Sequence, residues 1–133
     1  MGDNKLKHLE FIQNIITRMN TNSFLIKGWA ITLVSALFAL AAKDANIRYV
    51  FVTYLAIPIF WGLDAFYLSQ ERKFRDLYDL VRIKMESEID FSMKPTETDK
   101  NQWMTVLYSK TVWPIYVITI VITLFVIYLF KFL

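Results

Sequence analysis

The sequence predicts an all-α integral membrane protein. It should have three transmembrane helices, an N-terminal amphipathic helix and a long cytosolic extension of the second span. Three observations predict this. Hydrophobic residues make up 56% of the 133-residue chain, above the roughly 45–50% usual for soluble domains. Charged residues still account for 20%, but they are segregated: Gly28–Ala42, Tyr49–Leu63 and Thr111–Phe130 contain no Asp, Glu, Lys, Arg or His. Gly 3, Pro 3 and Cys 0 exclude a disordered tail, a collagen-like chain and a disulfide scaffold.

Residues 1–23 read as a cytosolic amphipathic helix followed by a turn. Leu6, Leu9, Ile12, Ile15, Ile16 and Met19 recur at helical spacing between polar residues. The polar face is mixed in sign, which favours packing on another helix over lying in the membrane surface. Asn20-Thr21-Asn22-Ser23 compete with helix by local hydrogen bonding and predict the turn.

Residues 24–69 read as a transmembrane hairpin. A helix needs about 20 residues to cross roughly 30 Å of hydrocarbon. The first two apolar stretches reach that length by admitting one charge each, Lys27 in the first and Asp64 in the second. Lysine can snorkel to the interface, whereas an aspartate needs a partner or water. Pro58 predicts a bend in the second span. Lys43–Arg48 is a short antiparallel connection. Ala39-Leu40-Ala41 resembles a cleavage site, yet more than 20 residues precede the apolar core, so the span is expected to be retained.

Residues 70–110 read as a cytosolic helical region with a loop near 90–102. No Gly or Pro interrupts Asp64–Ile89, and Phe74, Leu77, Val81, Met85 and Ile89 form a stripe. The second helix is therefore expected to continue about 20 residues into the cytosol, its stripe buried on another helix or on a second subunit. Thr98 or Asp99 is expected to cap a helix entering the third span through Trp103, Met104, Leu107 and Tyr108. Residues 111–133 are that span, with Pro114 kinking or starting it.

Residues 1–27 hold four Lys and Arg and residues 71–110 hold eight, against two in the 43–48 loop and one near the C-terminus. The basic regions should face the cytosol and the C-terminus the outside.

Lys27 and Asp64 lie at comparable depth in neighbouring spans and form a candidate intramembrane ion pair. Around them Arg18, Asn22, Tyr67, Glu71, Arg72 and Arg75 form a candidate trigger layer, whose bland alternative is headgroup contact and helix capping. Catalysis finds little support. His8 is the only histidine and reads as solvated on the polar face of the first helix. Gly-rich phosphate loops, nucleophile elbows and zinc motifs are lacking, so no cofactor or metal is expected. Eight acidic residues balance the eight basic ones of 71–110, which argues against a nucleic-acid partner.

The segments Phe11-Ile12-Gln13-Asn14, Arg18-Met19-Asn20, Asn22-Ser23-Phe24, Lys27-Gly28-Trp29, Phe60–Leu68 and Gln70–Tyr78 resemble small bacterial inner-membrane proteins, including the two-span SLATT class of anti-phage effectors. The resemblance covers roughly residues 8–79. It implies a non-enzymatic effector that damages the bilayer when triggered. The leading expectation is a homo-oligomeric effector in the bacterial inner membrane. The alternative is an anchored adaptor that recruits a cytosolic protein through residues 71–110. An ion or proton path at Asp64 stands third.

Overall fold

The computed structural model describes residues 2–44 and 46–132. Met1, Ala45 of the short connection and Leu133 of the last span lie outside the described residues. Every regular element among those described is helical: α1 (Asp3–Asp44), α2 (Arg48–Val81), the short α3 (Trp103–Leu107) and α4 (Trp113–Phe132), with single 3-10 turns at Glu86–Glu88 and Asp99–Asn101. Three of them, α1, α2 and α4, are long and apolar enough to cross a membrane.

α1 and α2 form an antiparallel hairpin. Asn46 helps make the turn: its Oδ1 accepts the Arg48 N–H at 3.0 Å, and its own N–H donates to the Ala41 carbonyl at 3.1 Å. α4 packs chiefly on α2. It starts at the level of Asp64, to which Tyr116 is bonded, and ends with Ile127, Phe130 and Lys131 beside Ile47. Pro58 lies inside α2 without ending it. Pro114 stands in the first turn of α4, where its missing N–H costs nothing.

α1 does not turn at Asn20–Ser23 as expected; it is one helix of 42 residues, about 63 Å long. The reason lies in the seam. Leu9, Ile12, Ile16, Ser23, Ile26, Ala30, Val34 and Ala41 are buried at steps that continue the same three-and-four spacing through the polar quartet. Asn20 and Thr21 are exposed beside the seam, so a run of capping residues does not interrupt the packing that carries the helix.

α2 ends at Val81, short of the expected Ile89. With Ser23 against Asp64 in an antiparallel pair, α1 begins just where α2 reaches its last turn. Past Val81 no helix remains for the stripe to pack on. Phe74, Leu77 and Val81 are buried against Leu9, Ile12 and Ile16 of the same chain, so these three face α1 and not a second subunit. Met85 is 69% exposed, and Ile89 reaches the edge of this cluster from the loop.

α3 does not run into the third span either. A turn at Ser109 separates it from α4, the Ser109 carbonyl accepting the Val112 and Trp113 N–H groups. The two tryptophans account for this. Trp103 Nε1 donates to the Gly62 carbonyl and Trp61 Nε1 to the Leu107 carbonyl, both at 2.9 Å, pinning both ends of α3 on α2.

The hairpin therefore has two apolar cores. The lower one is the cluster just described. The upper one joins Ala30, Val34, Ile57, Ala65, Leu68, Val106, Val112 and Tyr116 from four helices or their ends. A polar layer is set into the end of the upper core that faces the lower one.

Candidate functional site

Asp64 is the centre of that layer and has no exposed surface. Its position on α2 points it into the seam with α1, and the start of α4 closes the third side. Ser23 Oγ and Lys27 Nζ (2.9 Å) donate to Oδ1, while Lys27 Nζ (2.7 Å) and Tyr116 OH (2.9 Å) reach Oδ2. Lys27 Nζ also donates to Ser23 Oγ at 3.1 Å. Ser23 and Lys27 sit one helical turn apart on α1, which puts both donors on the same face. Tyr116 is held by parallel stacking on Trp61, centroids 6.0 Å apart.

The physical content is a buried charge with its partners in place. A carboxylate removed from water is strongly disfavoured unless paired and hydrogen-bonded, and here both oxygens are engaged. Lys27 balances that charge while its own side chain stays 20% exposed. Among the described residues, the Tyr116–Asp64 contact is the one side-chain hydrogen bond or ion pair that joins α4 to the rest of the chain.

The other residues of the expected trigger layer divide. Glu71 is buried and accepts from Arg75 Nε and Nη2 at 3.0 and 2.8 Å, one turn apart on α2. Arg72 Nη2 donates to Ser109 Oγ at 2.9 Å, tying α2 to the α3–α4 turn. Tyr67 is half-buried and meets Phe66 edge-on. Arg18 is exposed and Asn22 half-buried, and neither makes a side-chain hydrogen bond to α2 among the described residues. The layer is thus not one network joining α1 to the exit of α2; the link between those helices runs through Ser23, Lys27 and Asp64.

Sequence reasoning missed three positions. Tyr116 is one; a phenol in an apolar span is a signal for it, since polar groups there usually have partners. Asn101 is another. It is buried, donates to Asp76 Oδ2 and the Thr96 carbonyl at 2.7 Å each, and accepts the Thr98 N–H at 2.9 Å. Its carbonyl also receives the Ser69 hydroxyl at 2.5 Å.

The third is a clasp at the tip. Glu86 accepts the Asn4 and Lys5 N–H groups at 3.0 and 3.1 Å, capping α1 from 82 and 81 residues away in sequence. Gly2 leaves the room for it, because a Cβ there would meet the Glu86 side chain at 2.2 Å. His8 is not solvated as expected but fully buried. Its Nε2 lies 2.8 Å from the Ser92 carbonyl, and its Nδ1 has no partner. Phe91 covers the imidazole, ring centroids 5.5 Å apart, with a backbone φ of 56°. That left-handed conformation costs a bulky residue about 1–2 kcal/mol. Asp90 beside it is held below its ordinary value by the Ser92 N–H it accepts.

No group of three or more His, Asp and Glu positioned to hold a metal occurs among the described residues. Comparison with family models, curated proteins and solved structures gives no match for this chain.

Proposed function

We propose that the protein is a homo-oligomeric membrane effector that perturbs or permeabilises the bacterial inner membrane. Its three long helices cross the bilayer. The N-terminus and residues 71–110 face the cytosol, and the C-terminus lies outside. The observation that carries the reading is how little holds α4. Of its 20 residues only Tyr116 and Thr123 are buried, while Ile118, Val121, Ile122, Leu124, Phe125 and Tyr128 are exposed. In water such a helix would be untenable; in lipid its open faces are free to pack on other copies. The Asp64 tie then keeps α4 docked in the resting protein, and loosening it frees the helix to assemble. The resemblance to SLATT-type effectors suggests anti-phage defence as the setting.

Full engagement of both Asp64 oxygens favours a lock over an ion path at that residue. The adaptor reading draws on a separate observation: Ile83, 75% exposed, and Met85 project beyond the end of α2. Induced expression with a membrane-potential dye separates the two. The effector reading expects depolarisation, by itself or on phage challenge, and an oligomer in mild detergent. Polarised cells under both conditions together with a strict monomer would leave the adaptor.

A further inference from the structure

We infer that a groove between α1 and α2, one to two turns below the Asp64 layer, binds the headgroup of an anionic phospholipid through its phosphate. The groove is about 320 Å³ and is lined by Gln13, Thr17, Asn20, Thr21, Phe24 and Arg75. Its lining changes character along α1. Phe24 at the upper end is 73% exposed, and Leu25 and Trp29 beyond it are exposed as well. Below it the exposed residues are Thr21, Asn20, Arg18 and Thr17. α2 makes a similar change slightly lower, between Phe66, which is exposed, and Gln70, since Ser23 stands against Asp64. The edge of the hydrocarbon therefore falls close to Thr21.

The headgroup zone extends roughly 5–8 Å beyond that edge, about four or five residues of helix. Thr17, Asn20 and Thr21 stand at that depth. They offer two hydroxyls and an amide, all able to donate to a phosphate oxygen. Arg75 supplies the charge. It sits lower on α2, but its bonds to Glu71 one turn nearer the membrane draw the guanidinium upward. Glu71 takes the Nε and Nη2 edge, and Nη1 makes no hydrogen bond among the described residues, although the side chain is 57% exposed. A planar guanidinium oriented on one edge by a buried carboxylate presents its free edge for a phosphate. Phe24 then lies where the glycerol and first acyl carbons of the same lipid would run. A free phosphate would satisfy the polar end alone and leave Phe24 without a partner.

The inference rests on the membrane reading, and the test separates the two. Full-length protein in mild detergent is titrated with phosphatidylglycerol and with phosphatidylcholine, and bound lipid is counted by native mass spectrometry. The expected result is a preference for phosphatidylglycerol of about tenfold. The double change Glu71→Gln/Arg75→Gln leaves no unpaired charge and should remove that preference. Thr21→Leu should reduce it, whereas Lys110→Gln in the α3–α4 turn, outside the groove, should not. Equal retention of both lipids, or an undiminished preference in the double variant, overturns the site. Displacement of phosphatidylglycerol by millimolar inorganic phosphate would assign the groove to free phosphate instead, which also overturns it. An alkaline wash of reconstituted vesicles reports separately on insertion. A chain that stays in the vesicles without lipid preference fails the site alone; a chain that washes off fails the membrane reading and the site with it.

Discussion

The two halves of the α1–α2 hairpin are held by different physics. The lower half buries Leu9, Ile12 and Ile16 against Phe74, Leu77 and Val81. In water each such side chain contributes about 1.5–3 kcal/mol, and no polar bond between the helices is needed. The upper half packs Ala30, Val34, Ile57, Ala65 and Leu68. In the membrane setting proposed above the solvent of that half is lipid, and those residues gain little by leaving it, since acyl chains are as apolar as they are. What distinguishes the docked state there is the polar set on Asp64. An apolar seam serves where water is the competitor, and a buried charge with three donor side chains serves where it is not.

The sharpest way to break this contrast is Lys27→Met. It strands the Asp64 carboxylate in the upper half and should cost about 3–5 kcal/mol, read as loss of monodisperse protein in detergent. Adding Asp64→Leu should recover much of it. Recovery would identify the pair as a neutralising lock; its absence would mean that Lys27 does something the pair alone does not.

Ile12→Ala tests the other half. A cavity there should cost about 2–5 kcal/mol. The loss should appear as faster proteolysis of the loop near 82–98 while α4 stays docked. Tyr116→Phe is smaller and works in the opposite place. It removes one hydrogen bond to a charged group, worth about 1.5–3 kcal/mol, and should release α4 while leaving the hairpin intact.

The clasp at the tip gives the smaller effects. Glu86→Ala removes the cap on Asn4 and Lys5 and should cost about 0.5–2 kcal/mol, seen as faster amide exchange confined to the first turns of α1. Acid should add little at ordinary pH. Asp90 is held below its unfolded value of 3.8, so its contribution is complete above that value and fades only as pH falls through the lower folded value. Amide exchange at Ser92, corrected for intrinsic rate, should therefore show no Asp90-linked change between pH 5 and 8.

These differences also explain what could be read in advance. The hairpin was legible because two apolar runs joined by a few residues leave little choice. Lys27 and Asp64 were visible as lone charges at matched depth, and they lie 2.7 Å apart. The continuity of α1 was not legible from local propensity, because Asn20–Ser23 argue for a turn and only the seam with α2 overrides them. The end of α2 was hidden for a related reason: the stripe through Met85 and Ile89 is regular in sequence, and its limit is set by where the partner helix begins. Tyr116, Asn101, Glu86 and the burial of His8 each depend on a contact with a distant segment or on a loop conformation such as that of Phe91, which no spacing announces.

The central claim is that Asp64 holds α4 to the hairpin. The chain contains no cysteine, so paired spin labels can be placed cleanly at Arg48 and Lys131, which lie at the same end of the bundle and are both exposed. Their distance distribution in lipid vesicles is the most direct measurement. The account predicts one narrow distribution in the otherwise unchanged protein and a broad or longer one with Tyr116→Phe or Asp64→Asn. The same narrow distribution in all three would contradict it.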